Sequence, residues 1–346
     1  MTFLYQRTHN NYETDCFTKE IEIISKIRNR LINCGLDEIG NPKTSGLLFY
    51  VNADKKIIVA LRLVNAITGK SIKFINSIEY RGFKKILITD NIIKTNYFEL
   101  NDIKVISLSP FFFGIYHTNY HIQKSLPHKR FSLLMYRGTI ARNLFFYKMI
   151  SNQLMDVSHC SYQAFSHNNI QETESFESIY HNEISNIDLD LHNKCKKLIP
   201  FRNFEDCKSA EIQYSSDISI VVESFPMIKH LSFSEKTFRA LQIPRLWILY
   251  ASKGSVKYLE SIGFDVFSDY IDHARYDELD DNEKRINEII KMMIEMKDSF
   301  LTNDELDDIK HRTQKNVRIL RKMPLNTSID KILTLISHSV NTTDNN

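Results

Sequence analysis

The chain has 346 residues, long enough for two α/β domains, since a single core rarely grows past roughly 250–300 residues. Its net charge of +3 is too balanced to mark the whole chain as a nucleic-acid binder and leaves room only for a local basic groove. Five scattered cysteines (Cys16, Cys34, Cys160, Cys195, Cys207) with no C-x-x-C pair exclude a disulfide framework and a zinc knuckle. The first residues carry no apolar leader, and no stretch approaches the ~18 apolar residues of a membrane span, so the expectation is a cytoplasmic protein.

In chain order, Phe17, Ile21, Ile24, Ile27 and Leu31 fall at helical spacing, and Gly35 supplies a stop. The short apolar runs 46–51, 84–89 and 105–109 read as buried parallel strands. Together they predict an N-terminal α/β lobe over 1–125. The polar stretch 123–130, with Pro127, predicts the linker to a second lobe over 126–302. There, 130–136 reads as a strand, 137–140 as a turn and 141–154 as a helix. Residues 163–212 lack a period and read as loops with one short helix near 188–197. A strand over 217–223, a Ser234-capped helix to about Gln242, a strand over 246–250, a helix over 255–261 stopped by Gly263, and a short strand over 265–268 complete this lobe. The C-terminal part, 303–346, is predicted helical. Capping-box spacings occur at Asp280/Glu283 and Thr302/Glu305, an acid-to-base helix runs to Pro324, and a last helix spans 328–337.

Chemistry concentrates where the strand ending at Glu223 leads into Ser234-Glu235-Lys236-Thr237-Phe238-Arg239. In open parallel sheets, ligands sit beyond the carboxyl ends of the strands. In the first turn, Glu235 serves either as a dipole partner or as the acceptor for a ribose diol. Lys236 is either a solvated residue or a diphosphate clamp. Arg239, one turn on, suits a second phosphate clamp or a partner for Glu235. Glu223 either touches a donor sugar or is satisfied by local N–H groups.

The order Glu223-Ser224, a loop, then Phe233-Ser-Glu-Lys-Thr-Phe-Arg-Ala-Leu241 and an apolar strand resembles the donor-binding signature of α-1,3-fucosyltransferases. The run from Gly254 to Phe267, with Tyr276 to Arg285, looks like the C-terminal half of phage-type glycosyltransferases of the two-Rossmann GT-B architecture. The strand before Arg137 and Arg142 also fits that pattern. The resemblance covers about residues 130–290. It implies a nucleotide-sugar donor, with Glu235 on the ribose, Lys236 on the diphosphate and Arg137 or Arg142 neutralising the leaving group. It also implies last helices that return to the first lobe.

No resident cofactor or metal is expected: preorganised cations can meet the charge that develops on a departing nucleoside diphosphate. Asp188 and Asp190 have metal-type spacing but stand in a polar region. Asp54, Asp90 and His117, with His121 nearby, are unranked candidates for the general base acting on the acceptor, which is a glycan, a protein or a modified DNA base. The DNA reading calls on Lys84-Lys85, Lys124, 128–130 and the helix at 310–322. A non-enzymatic reading, a Rossmann-like binding or assembly module, predicts a closed crevice.

Overall fold

The computed structural model describes residues 25–40, 47–62, 80–89, 103–107, 127–135, 140–162, 213–223, 226, 231–326 and 329–341. The chain divides into two compact units. One comprises Met1–His9, Tyr116–Ile228 and Phe233–Ile319; the other comprises Asn10–Ile115, Lys229–Ser232 and Leu320–Asn346.

The second of these holds a five-stranded sheet in the order β1 (Asp37–Gly40), β2 (Leu47–Asn52), β3 (Ile57–Arg62), β4 (Lys84–Thr89), β5 (Ile103–Ser107). β3, β4 and β5 are parallel, but β1–β2 and β2–β3 pair antiparallel, so the run at 46–51 is not the parallel strand its apolarity suggested. A four-residue turn, 53–56, joins β2 to β3; Asn52 Oδ1 accepts from Lys55 N at 2.8 Å, and Lys56 adopts φ +50°.

Alternation along β3 sends Ile57, Val59 and Leu61 to one face and Ile58 and Ala60 to the other, as period-2 geometry requires. The first face is covered by Ile27 and Leu31 of α1 (residues 25–33) and by Ile332, Ile336 and Val340 of α8 (Ile329–Asn341). The C-terminal helix thus packs on the N-terminal sheet. Gly35, at φ +82°, ends α1 as the sequence predicts.

The other unit is built on a sheet ordered β7 (Ser158–Tyr162), β6 (Lys129–Met135), β8 (Ser216–Val222), β9 (Leu246–Tyr250), parallel throughout. β6 starts at Lys129, inside the stretch predicted as linker. The helices of this unit are α2 (Ile140–Ser151), α3 (Glu235–Ala240), α4 (Ser255–Ser261), α5 (Ala274–Asp277), α6 (Asn282–Met296) and α7 (Asn303–Asn326), the last entering the other unit at Leu320. β8 and β9 are buried along their whole length, which fits near-continuous apolar strands in a parallel sheet.

Several local expectations need correction. No strand forms over 265–268. There, the Asn316 amide of α7 takes both backbone groups of Asp265, accepting its N–H at 2.7 Å and donating to its carbonyl at 2.8 Å. A side chain thus stands where a neighbouring strand would. Phe267, at φ +58°, leaves the extended region altogether.

The cap of α6 is Asp281, accepting from Lys284 N at 2.7 Å, while Asp280 pairs with Lys253. Thr302 and Glu305 do form the reciprocal capping box, Thr302 N donating to Glu305 Oε2 at 2.7 Å and Glu305 N to Thr302 Oγ1 at 3.3 Å. α7 continues two residues past Pro324, which lies in its last turn and so removes little of the helical ladder.

A buried proton chain ties β9 to the segment that follows α4. Leu249 N donates to the Tyr276 hydroxyl at 3.2 Å, that hydroxyl lies 2.7 Å from His273 Nδ1, and His273 Nε2 lies 2.8 Å from Val266 O. Since the Val266 carbonyl can only accept, Nε2 carries the proton and Nδ1 accepts from Tyr276. Burial holds the imidazole neutral and pushes its pKa down to about 4.

Candidate functional site

In the parallel sheet the chain runs from β6 out to β7 and then crosses to β8 on the other side of β6, so the order reverses between β6 and β8. Beyond the carboxyl ends at such a switch lies the usual ligand crevice of open α/β sheets. Glu223 directly follows β8 there, and α2 and α3 flank it in sequence.

Glu223 is 3 % exposed, and its carboxylate organises the start of α3. Oε1 accepts from Ser234 N at 3.0 Å and from Thr237 Oγ1 at 2.6 Å; Oε2 accepts from Ser234 Oγ at 2.6 Å. Ser234 is the N-cap that the sequence predicts, its hydroxyl accepting from Lys236 N at 3.3 Å and from Lys236 Nζ at 3.2 Å. The strand end, cap and first turn are therefore one hydrogen-bonded unit. Of the two sequence readings of Glu223, the geometry favours the local one, because its lone pairs already serve three donors.

Glu235 is the first residue of α3, and Lys236 and Arg239 follow as half-buried members of the helix. Lys236 reaches back to the cap, which keeps its ammonium at the N-terminal end of the helix.

Arg142, on the first turn of α2, is 1 % exposed and donates through Nε at 3.2 Å and Nη2 at 2.9 Å to the carbonyl of Val222, the last residue of β8. It fastens α2 across the switch. Removing it would leave the Val222 carbonyl buried without these donors, so an alanine here should cost stability.

At the neighbouring strand end, Asp277 occupies the N-terminus of α4. Its Oδ2 accepts from Lys257 N at 3.1 Å, and the carboxylate also accepts from the backbone N–H of Val256. Burial nonetheless holds this carboxyl above the ordinary range. Arg285 lies behind it, Nη2 4.0 Å from Asp277 Oδ1, its guanidinium over the Tyr250 ring at 5.1 Å and Nε donating to Tyr276 O at 3.1 Å. The chain's own carboxylate fills this helix start, so a phosphate has no vacant N–H groups there. Sequence reading missed this lock. Its only signal was that Asp277 and Arg285 both lie in the run that carries the resemblance.

An apolar gap between α3 and the β8–β9 face, lined by Val221, Thr237, Ala240, Leu241, Trp247 and Leu249, has no room for a water molecule. It is a packing gap and not a ligand pocket, which takes a volume of roughly 300 Å³ or more.

Of the predicted base residues, Asp54 is exposed in the β2–β3 turn, at the amino-terminal end of β3. That is the edge opposite the carboxyl ends of β3, β4 and β5, where a reacting group would be expected. Asp90, His117, His121, Arg137, Asp188 and Asp190 lie outside the described residues, as does the side chain of Glu235. Among the described residues, no cluster of three or more His, Cys, Asp or Glu is arranged to hold a metal, and no helix is long and apolar enough to cross a membrane. No protein-family model, curated protein or solved structure matches the chain.

Proposed function

We propose that the carboxyl edge of the parallel sheet holds a nucleotide-sugar donor and that the protein is a glycosyltransferase of two Rossmann-like, GT-B-type lobes, acting without a metal. The observation that carries this reading is the pre-assembled start of α3 at the topological switch, where Glu223 and Ser234 fix the backbone from which Glu235 and Lys236 project. Lys236 meets the charge of the departing diphosphate, and Glu235 receives the ribose diol. Arg137 remains a candidate for the leaving group. Glu223 and Arg142 act by positioning α3 and α2 rather than by touching the donor. Asp90 and His117 remain candidates for the base on the acceptor, which is a glycan, a protein or a modified DNA base. Asp54 is not retained.

A second reading, a non-catalytic Rossmann-like module, draws support from the internal engagement of Glu223, Arg142 and Asp277. A thermal-shift panel of UDP, GDP, CMP and ADP sugars separates the two. A specific donor at about one hundred times its Kd stabilises by about 2.7 kcal/mol through mass action. A shift with one nucleotide class supports the transferase; no shift with any of them favours the module.

A further inference from the structure

The exposed side of α7 carries a basic row that lies outside the donor site, whichever acceptor the transferase uses. Between Asp308 and Asp330 the sequence holds six Lys or Arg and no acidic residue. Three of the acids at the start of the helix are engaged: Asp308 contacts Arg312 and Tyr270, Asp307 faces Lys310, and Glu305 closes the capping box. Arg312 is bound by Asp265 and Asp269.

Lys315, Arg318, Arg321 and Lys322 are exposed and make no salt bridge within 4 Å among the described residues; Lys315 acts on Asp265 only through space. At about 100° per residue, Lys315, Arg318 and Lys322 fall within one narrow arc, with rises of about 4.5 and 6 Å between neighbours. Arg321 borders that arc.

The buried positions Ile309, Thr313, Asn316 and Leu320 lie on the opposite side, so the helix face is held rigidly outward. A row of cations at such spacing, on a fixed helix, is suited to successive phosphates of a nucleic-acid strand, whose charge density attracts Lys and Arg with release of counterions. A lipid surface fits less well, because among the described residues no large apolar side chain of α7 is exposed to enter the bilayer.

We infer that the Lys315, Arg318, Arg321 and Lys322 face of α7 is a docking surface for a nucleic-acid backbone, independent of sequence and of the donor site. The test is fluorescence anisotropy of the full chain with labelled single-stranded DNA, duplex DNA and single-stranded RNA. Vesicles containing phosphatidylserine form a separate arm.

With about four phosphate contacts, affinity for at least one oligonucleotide should fall roughly 100-fold between about 50 and 200 mM salt. The variant Lys315→Gln/Arg318→Gln/Arg321→Gln/Lys322→Gln should bind at least about tenfold more weakly and flatten the salt slope by about one unit per cation removed. Lys257→Gln, which removes a cation paired with Glu278, should bind as the parent does. Circular dichroism melting checks that the variants fold. Should the quadruple variant not fold, Arg318→Gln alone must still reduce the slope by about one unit. No binding to any of the three nucleic acids at low salt would overturn the inference. So would unchanged binding by the variants, or binding to vesicles alone.

Discussion

The two edges of the parallel sheet use buried carboxylates for different ends. At the amino edge, Asp217 opens β8 and ties three segments together: it accepts from Arg130 Nη1 at 2.8 Å and from Leu301 N at 3.3 Å, and lies 2.9 Å from His128 Nε2. Arg130 in turn donates to Met296 O at 2.9 Å, so the pair anchors the α6–α7 connection to the sheet. At the carboxyl edge, the Glu223 carboxylate accepts from an N–H and two hydroxyls of the next helix start. The amino edge is a charge-paired clasp that holds elements together. The carboxyl edge is a hydrogen-bonded cap that fixes one turn of backbone, with the Lys236 ammonium drawn back to Ser234. Stability and binding should therefore separate along the strands.

The largest expected effect is at the clasp. Asp217→Ala leaves Arg130, 4 % exposed, with an uncompensated buried charge and should cost about 3–5 kcal/mol in urea unfolding, with nucleotide binding by the remaining folded protein unaffected. A smaller cost than that of the carboxyl-edge substitution would reverse the comparison.

The pH dependence of stability comes next and reports on neither edge. His273 is buried neutral with its pKa lowered to about 4, whereas in the unfolded chain it titrates near the ordinary value of about 6.5. Between those values the unfolded state binds more protons. The contribution is thus complete above about pH 6.5 and is lost as pH falls toward 4, by up to about 3 kcal/mol. Urea midpoints across that window should fall more steeply for the parent than for His273→Gln; parallel curves would contradict the neutral proton chain.

At the carboxyl edge, Glu223→Gln keeps shape but replaces one acceptor oxygen with a donor facing Ser234 or Thr237. A loss of about 1–3 kcal/mol is expected, together with weaker nucleotide binding because α3 is no longer fixed. The smallest effect on stability belongs to Lys236→Ala, which should stay within about 0.5 kcal/mol of the parent while weakening nucleotide binding.

The elements that sequence reading identified well are those whose local signals agree. Ser234, Gly35, Gly263 and the Thr302/Glu305 box announce helix ends through their own backbone chemistry, and β4, β8 and β9 are apolar runs of strand length. β7 escaped because Ser158-His-Cys-Ser-Tyr162 carries no apolar pattern, and the direction of β2 because apolarity does not encode pairing partners. The supposed strand at 265–268 failed because its backbone partner is a side chain 51 residues away.

At the site, the residue types were visible but their engagement was not. Arg142 and Glu223 have the composition of ligand contacts and the burial of structural ties, and only tertiary placement separates those roles. The Asp277 carboxylate on α4 was illegible for the same reason: its partners lie 20 residues upstream.

The most direct measurement of the central claim is calorimetric titration of UDP, GDP, CMP and ADP into the parent and into Lys236→Ala. One nucleotide should bind the parent and bind Lys236→Ala at least about tenfold more weakly, a difference of about 1.4 kcal/mol, with both proteins equally stable. Equal affinity in the two proteins, or no binding of any nucleotide to the parent, would contradict it.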